Sequence, residues 1–230
     1  MSILNCENLS KAFGRKVVLN NVNLSIEKGR IVGLLGPNGS GKTTLIKIIN
    51  TLLVPDCGSV RVDGLELGIE TKGIVSYLPD RECLPDWMSV EELIQFYCDF
   101  YEDFSKEKAE RMIESLNINI KEKFRKLSKG TREKVQLILV MSRNAKLYLL
   151  DEPIGGVDPV TRDYILSSII ASYNEEATVV IATHLINDVE KILDEVVFIK
   201  AGEIILHDSV DNIREEHNMS IDEKFREVFR

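Results

Sequence analysis

The sequence predicts an α/β fold: a mainly parallel sheet at the core, an antiparallel β subdomain and an inserted helical subdomain. Residues 3–26 alternate apolar and polar positions, the pattern of an antiparallel ribbon with one covered face. The run Ile31-Val32-Gly33-Leu34-Leu35 has no polar side chain, which is typical of a buried parallel strand. From about Glu82 to Ala145 the hydrophobic period lengthens to that of helices. Strands that alternate with helices in this way indicate a parallel sheet.

The predicted elements follow in order along the chain. The opening ribbon turns at residues 13–16 and ends at 27–29, and a helix is predicted over Thr43–Asn50. Residues 52–78 predict short strands, with turns at 56–58 and 63–64. A C-terminal helix is predicted to end the chain, after elements at Val90–Tyr101, Lys106–Leu116, Thr131–Arg143, Leu147–Leu150, Pro159–Tyr173, Thr178–Ala182, Glu195–Lys200 and Glu203–His207. These elements make one domain over residues 1–230, with a helical insert at about 82–145.

Composition and charge bound the function. The 230 residues are 44% hydrophobic and 29% charged, as expected of an ordinary folded domain. The formal net charge of −8 disfavours nucleic acid as a partner, because phosphate backbones attract clustered Lys and Arg. The four cysteines are scattered, residues 1–10 lack a signal-peptide pattern, and the apolar runs fall short of the roughly 20 residues of a membrane helix. We therefore expect a protein that acts from the aqueous side of any membrane it serves.

A glycine-rich segment between the buried strand and the first helix carries the strongest functional signal. It reads G-x-x-x-x-G-K-T over residues 36–43, where backbone N–H groups and the helix N-terminus can surround a phosphate. Lys42 is expected to reach the terminal phosphates of ATP, and the Thr43 hydroxyl to bind Mg²⁺. The core is therefore predicted to be of the P-loop NTPase type. The nucleotide-binding residues predicted here are Gly36, Pro37, Asn38, Gly39, Ser40, Gly41, Lys42, Thr43 and Thr44.

A second predicted strand ends in two adjacent carboxylates. The apolar run Leu147–Leu150 is followed directly by Asp151 and Glu152. Unpaired carboxylates at the end of a buried strand are costly, so a function is expected for them. Beside a phosphate loop, Asp151 is expected to hold Mg²⁺, directly or through water, and Glu152 to polarise the water that attacks the γ-phosphate.

The order and spacing of six motifs resemble those of ABC ATPases over essentially the whole chain. Besides the phosphate loop and the strand with paired carboxylates, Leu127-Ser128-Lys129-Gly130 is similar to the family signature. Gly155-Gly156-Val157-Asp158 resembles the D-loop, and His184 resembles the switch histidine. Phe13, in the opening ribbon, is similar to the aromatic residue that stacks on adenine.

The resemblance implies a mode of action. Two copies, as a homodimer or heterodimer, meet head to tail, so that each ATP lies between the phosphate loop of one subunit and Ser128 and Gly130 of the other. Gly130 is expected to open the helix Thr131–Arg143, whose N-terminus points amide dipoles at the γ-phosphate. The helical insert then passes the motion to integral membrane permease subunits, which implies a cytoplasmic protein, peripheral on the inner face of the cell membrane. The implied catalytic residues are Glu152 and His184, and the implied cofactors are ATP and Mg²⁺.

The chain departs from the family pattern at three places. The signature has Lys129 and Thr131 where the family usually has glycine and glutamine. Ile154-Gly155, at the D-loop, replaces a small hydroxyl pair. Asp80 takes the position of the Q-loop glutamine. A carboxylate at residue 80 can bind Mg²⁺ together with Asp151, or it can simply cap the turn in which it lies.

Transport is the function that the resemblance favours, and one alternative of another class stays open. A soluble ABC ATPase without a membrane partner, for example of the iron–sulfur cluster assembly type, is compatible with the length of the chain. A nucleotide-binding regulator without turnover is disfavoured by Glu152 and His184, and a P-loop kinase by Ser128-Lys129-Gly130. Family members without a further C-terminal domain are often of the export type, and the cargo is not readable from these residues.

Overall fold

Two sheets carry the fold in the computed structural model of the chain, which describes residues 2–172 and 176–229. Within them the strands are β1 Ser2–Phe13, β2 Lys16–Glu27, β3 Ile31–Leu35, β4 Cys57–Val62, β5 Leu65–Glu66, β6 Val75–Leu78, β7 Leu147–Asp151, β8 Thr178–Thr183, β9 Glu195–Lys200 and β10 Glu203–Ser209. An antiparallel sheet has the order β2-β1-β4-β5, and a mainly parallel sheet has the order β10-β9-β3-β8-β7-β6. The predicted fold class is confirmed.

The first two strands form the predicted antiparallel ribbon. They pair from end to end, with register shifts where the strands are irregular. Inward-facing side chains such as Leu4 and Leu19 are fully buried, as the period of two requires. Gly14 lies in the turn at φ +60, a left-handed conformation that glycine adopts without steric cost.

The larger sheet brings the carboxyl ends of its parallel strands to one edge. Strand β3 pairs in parallel with β8 and β9, and β7 pairs in parallel with β6 and β8. Every residue of β3, β7 and β8 is buried, as expected for continuous apolar strands covered on both faces. The last residues of these three strands, Leu35, Asp151 and Thr183, therefore end at the same edge of the sheet.

The helices cover the sheets and build the insert. They are α1 Lys42–Ile49, α2 Ile69–Ile74, α3 Val90–Phe100, α4 Lys106–Ser115, α5 Lys129–Met141, α6 Pro159–Ser172, α7 Ile186–Val189, α8 Val210–His217 and α9 Ile221–Phe229. Helices α3, α4 and α5 share an apolar cluster that includes Leu93, Ile113 and Leu139. Ser89 and Glu92 cap the start of α3 reciprocally, each side chain bonding the other residue's backbone N–H. The extent of the insert, about 82–145, stays a prediction.

Some predicted elements need correction. Residues 52–78 contain a helix, α2, besides strands; it has six residues, too few for a helical period to show. The turn predicted at 56–58 is replaced by the start of β4 at Cys57. The C-terminal helix is two helices, α8 and α9, divided where Asn218 takes the left-handed φ of +50. The predicted end of the helix at Tyr173, like Met1 and Arg230 of the predicted domain, lies outside the described residues.

The predicted helix Thr131–Arg143 is displaced by two residues at both ends. It begins at Lys129 because the Ser128 hydroxyl accepts a hydrogen bond from the Thr131 amide and so acts as the N-cap. It ends at Met141, and Arg143 lies beyond it. The start of this helix therefore falls inside the predicted signature.

A buried arginine joins the helical insert to the parallel sheet. Arg143 donates from Nε to Asp103 Oδ1 at 3.0 Å, from Nη1 to the Val75 carbonyl at 2.6 Å and from Nη2 to the Gly73 carbonyl at 2.8 Å. Its guanidinium carbon lies 3.9 Å from the centroid of the Tyr101 ring. Because Asp103 and Tyr101 belong to the insert and the other two to α2 and β6, one side chain fixes the spacing of the two parts.

Candidate functional site

The predicted phosphate loop connects β3 to α1 at the carboxyl edge of the parallel sheet. Gly41 has φ +114, and a Cβ there would lie 2.9 Å from the Val18 carbonyl oxygen, so both conformation and space favour glycine. Gly39 is also left-handed, at φ +80. Gly41 is the N-cap of α1 and has no side chain to bond the first amides of the helix. Those N–H groups are therefore available for an anion.

Lys42 turns back into this loop. Its Nζ donates to the Gly36 carbonyl at 2.6 Å and to the Pro37 carbonyl at 3.2 Å, and its side chain is only 5% exposed. Burial lowers the pKa of Lys42, while the charges of Glu152 and Asp151 act to raise it. A buried ammonium is a strong electrostatic partner for phosphate oxygens, and the two neighbouring acids favour its charged form.

Thr43 and Asp151 meet beside the loop. The Thr43 hydroxyl donates to Asp151 Oδ1 at 3.1 Å, whereas Asp151 Oδ2 is buried and has no hydrogen-bond partner among residues 2–172 and 176–229. The pKa of Asp151 is raised to about 6, mainly by burial and with smaller contributions from the charges of Asp80 and Glu152. An orphaned, fully buried carboxylate oxygen next to a hydroxyl is a donor set that fits a divalent cation, because Mg²⁺ prefers oxygen ligands.

Glu152 is held by the neighbouring strand end. Its Oε1 lies 3.0 Å from His184 Nδ1 and 3.7 Å from Lys42 Nζ, and its Oε2 accepts a hydrogen bond from the Thr183 hydroxyl at 2.9 Å. The residue has a left-handed φ of +50, a conformation that costs a non-glycine residue roughly 1 kcal/mol or more. The structure thus brings Glu152 and His184 together, and Thr183 is a contact that the sequence did not predict.

A cavity of about 250 Å³ opens over the phosphate loop. The predicted site residues that line it are Asn38, Gly39, Gly41, Lys42, Thr43, Thr44, Asp80 and Glu152. Lys16 and Val18 of β2 line it as well. Gly36 and Pro37 lie behind the cavity as acceptors for Lys42, and the hydroxyl oxygen of Ser40 is buried with no partner in the described part of the chain. The cavity therefore gathers most of the predicted nucleotide and metal residues.

Phe13 lies at the edge of this cavity. It is the last residue of β1 and pairs with Lys16, which lines the cavity. Its side chain is 49% exposed, and Lys11 Nζ lies 5.6 Å from the ring centroid. An exposed ring at this place can stack on a planar base, and that role stays a prediction.

Ser128 and Gly130 lie away from the cavity of their own chain. Ser128 is exposed, and its hydroxyl is 2.7 Å from the hydroxyl of Thr131. The prediction that Gly130 opens the helix is wrong: α5 begins at Lys129, and Gly130 is its second residue. A Cβ on Gly130 would lie 3.2 Å from the Thr161 hydroxyl, so glycine lets α5 approach the start of α6 closely.

The sequence left the direction of Lys129 open, and the structure gives it. Lys129 Nζ donates to the Gly156 carbonyl at 3.3 Å and lies 3.7 Å from Glu133 Oε1. Asp158, at the end of the same loop, accepts hydrogen bonds from the amide and hydroxyl of Thr161 and so caps α6. The contact between Lys129 and Gly156 joins residues 27 positions apart in sequence, so no local pattern could have predicted it.

Comparisons with known proteins agree with this geometry. The chain matches the family described as ABC transporter over residues 19–155. It is 32% identical over 212 residues to the ABC transporter ATP-binding protein YtrB of Bacillus subtilis, with 91% of this chain and 73% of YtrB covered. It is 32% identical over 216 residues to the lipopolysaccharide export system ATP-binding protein LptB of Haemophilus influenzae, with 89% and 90% covered.

One solved structure is similar to this chain over its whole length. A structure of an ATP-binding subunit of an ABC transporter superposes with a TM-score of 0.88 at 26% identity, covering all of both chains. In the part of this chain that the structure describes, none of the helices has the length and apolar character needed to span a membrane.

Proposed function

This chain belongs to the ABC transporter family as an ATP-binding, ATP-hydrolysing subunit, and from this premise we propose that it powers transport through separate membrane subunits. The observation that carries the proposal is the cavity at the carboxyl edge of the sheet, which buried Lys42 lines together with Thr43 and Glu152. The proposed location is the cytoplasmic face of the cell membrane, with the chain bound to its partners rather than inserted.

Thr43 and Asp151 would hold Mg²⁺ together with ATP. The orphaned Asp151 Oδ2 and the Thr43 hydroxyl are the oxygen atoms available for it. When bound, Mg²⁺ neutralises charge on the β- and γ-phosphates and so assists their separation. Lys42 would leave its carbonyl partners for the terminal phosphates, and Phe13 would cover the adenine ring. The cavity then orients the γ-phosphate towards Glu152.

Glu152 would accept a proton from the attacking water. The Thr183 hydroxyl fixes Oε2, so Oε1 is the oxygen that faces His184 and the phosphate loop. His184 is partly exposed and contacts Glu152, and it would contact the γ-phosphate from the same side. The two residues would therefore align water and phosphate, which is the role of a general base and its partner.

Ser128 and Gly130 supply the argument for a second copy. Both lie at the N-terminus of a 13-residue helix, where free amides and the helix dipole favour an anion. Neither residue lines the phosphate cavity of its own chain. We therefore propose that they bind the γ-phosphate held by a partner subunit, in a homodimer or a heterodimer that ATP closes and hydrolysis opens.

A groove of about 580 Å³ next to the insert is the proposed contact with the membrane subunits. It lies between α1, the segment after β6 and the insert, and its lining includes Tyr97, Phe100 and Tyr101. Phe100 is 70% exposed and stacks on the half-exposed Phe96 ring at 5.7 Å, so the two rings offer an apolar surface to a partner. The net charge of −8 makes nucleic acid an unsuitable partner.

Light scattering on the Glu152→Gln protein tests the ATP-driven dimer. We expect a monomer without nucleotide and a dimer with ATP and Mg²⁺, because hydrolysis is blocked and the closed state persists. The double variant Lys42→Ala, Glu152→Gln should stay monomeric in both conditions, as it lacks the main phosphate contact. Equal masses with and without ATP would refute the proposed dimerisation.

Membrane fractionation of the source cells tests the partner. The wild-type chain should sediment with membranes and be released by alkaline carbonate, as expected for a peripheral subunit. Phe100→Asp should shift it to the supernatant, while Ile205→Asp, which changes another exposed apolar residue far along the chain in β10, should not. A wild-type chain found wholly in the supernatant would instead support a soluble ATPase.

A further inference from the structure

Lys129 crosses from the signature to the D-loop within one chain. Its backbone lies in the first turn of α5, and its ammonium donates to the Gly156 carbonyl at 3.3 Å. The side chain is 63% exposed, so packing does not force it into this direction. The direction of the Lys129 side chain therefore depends on the groups that attract its ammonium.

Acidic side chains near Lys129 provide that attraction. Glu133, one helical turn along α5, lies 3.7 Å from Lys129 Nζ. The two residues line a cavity of about 330 Å³ together with Asp80, Glu82 and Glu152. Glu82 pairs with Arg132 at 3.0 Å, so Glu133 is the carboxylate that attracts the Lys129 ammonium most directly, and the ammonium donates a hydrogen bond to the Gly156 carbonyl beside it.

The D-loop offers few other means of holding itself in place. Gly155 and Gly156 carry no side chains, and Gly156 has a left-handed φ of +73. The Gly155 amide donates to the Glu152 carbonyl at 3.0 Å, which fixes the start of the loop. Asp158 fixes the end by capping α6 through Thr161. The Lys129 contact lies between these two fixed ends.

We propose that Lys129 is a positioning residue that ties the D-loop, residues 155–158, to the signature turn, residues 127–130. The proposal rests on the proposed function, since both segments are to meet a second subunit. Tied together, they present one rigid surface to the partner, so less conformational entropy is lost when the dimer closes. In this chain a lysine supplies a tie that glycine at the same position cannot supply.

Direct contact between Lys129 and the partner's γ-phosphate is the competing arrangement. It would require the ammonium to leave the Gly156 carbonyl and turn away from Glu133 and the other carboxylates. The two arrangements differ in the free monomer, because only the tie restrains the D-loop before any nucleotide or partner binds. Amide hydrogen exchange of the nucleotide-free chain therefore separates them.

The experiment compares wild type with Lys129→Met, Lys129→Arg and Lys126→Met. Methionine keeps the length of lysine without charge or donor, and arginine restores both. Lys126 is the matched control: it is exposed, precedes the signature and pairs with Glu122 at 3.7 Å. In Lys129→Met we expect exchange over residues 153–158 to be about threefold faster, the size of one exposed hydrogen bond. The exchange rate of Lys129→Arg should return towards the wild-type rate, and the exchange rate of Lys126→Met should equal the wild-type rate.

Dimerisation provides the second measurement. With Glu152→Gln added to each protein, Lys129→Met should weaken the ATP-bound dimer by about threefold, while ATP affinity of the monomer stays the same. Unchanged exchange in Lys129→Met would overturn the proposal, and so would a weaker dimer without faster exchange, which would mean direct phosphate contact. If wild type with Glu152→Gln fails to dimerise at all, the proposed function fails, while the exchange result still decides the tie.

Discussion

This chain has a phosphate-loop end around residues 36–43 and a signature end around residues 127–130, and the two ends differ in how far their functional side chains are buried. At the first, Lys42 and Asp151 are buried, and their partners Gly36 and Thr43 come from the same chain. At the second, Ser128 is exposed and its hydroxyl bonds to the amide and hydroxyl of Thr131, one turn along the same helix. Charges removed from water need a ligand or a paired group nearby, whereas an exposed helix N-terminus can remain in water without a bound ligand.

The difference separates two kinds of recognition. A buried, pre-arranged cavity suits a small ligand that must be held in one orientation. An exposed turn at a helix N-terminus suits a ligand that arrives already bound to another surface. Variants at the first end should therefore alter chemistry or nucleotide affinity of each monomer, and variants at the second should alter only the association of two monomers.

The largest expected effect is on turnover at the phosphate-loop end. Glu152→Gln should reduce ATP hydrolysis by about 10²-fold or more, since a general base is lost, while ATP binding is retained. Steady-state phosphate release and calorimetric ATP binding measure the two. Glu195→Gln is the matched control, because Glu195 also contacts a histidine, His207 at 3.0 Å, outside the phosphate cavity. Hydrolysis by Glu152→Gln near the wild-type rate would remove the assigned role.

Nucleotide affinity at the same end is the second expected effect. Lys42→Ala should weaken ATP binding by about tenfold or more, because a charged hydrogen-bond donor to the phosphates is lost in the ground state. Calorimetry on the monomer checks this. Lys47→Ala, in the same helix but lining the groove beside the insert, should bind ATP like wild type. Equal ATP affinity in Lys42→Ala and wild type would contradict the assignment.

The signature end should respond differently. Ser128→Ala, combined with Glu152→Gln, should weaken the ATP-bound dimer by about fivefold while monomer affinity for ATP is unchanged. Loss of the helix N-cap also lowers stability by about 1 kcal/mol, and Ser209→Ala, which removes the N-cap of α8, is the control for that loss. Sedimentation equilibrium measures the dimer. A lower ATP affinity of the Ser128→Ala monomer would mean that the two ends are not separate.

Long continuous patterns allowed the sequence to predict most of the fold. The ribbon and the buried strands follow from periodicity over several residues, whereas α2, with six residues, is too short to show one. The division between α8 and α9 did have a signal. Ser220 and Glu223 form a capping box, each bonding the other's backbone, and such a pair marks the start of a helix.

The candidate site was predictable where one segment carries a whole motif. The phosphate loop and the Asp151-Glu152 pair needed no tertiary information, because each is continuous in sequence. The Thr183 contact with Glu152 and the direction of Lys129 depend on strands and helices distant in sequence, which only the packing brings together. Asp80 was assigned to the site through the family resemblance, because no continuous motif carries it.

Asp80 lies between the two ends and is placed to sharpen the comparison. It follows β6 and lines two cavities: the phosphate cavity, together with Thr43, and the cavity of about 330 Å³, together with Lys129. Its charge raises the pKa of Asp151, after the larger effect of burial. Its ion pair with Arg81, at 3.9 Å, is long and exposed on the arginine side. Asp80 therefore acts electrostatically on Asp151, the carboxylate that is proposed to bind Mg²⁺.

The smallest expected effect concerns the magnesium dependence of ATP binding. With Asp80 and Asp151 both facing the phosphates, removal of Mg²⁺ leaves two negative charges uncompensated. The loss of ATP affinity without Mg²⁺ should be about fivefold greater in wild type than in Asp80→Gln. Asp86→Asn, which removes the same charge from an exposed position of the same segment, should behave like wild type. A magnesium titration of ATP binding decides: superimposable curves for wild type and Asp80→Gln would make Asp80 a turn residue without an electrostatic role.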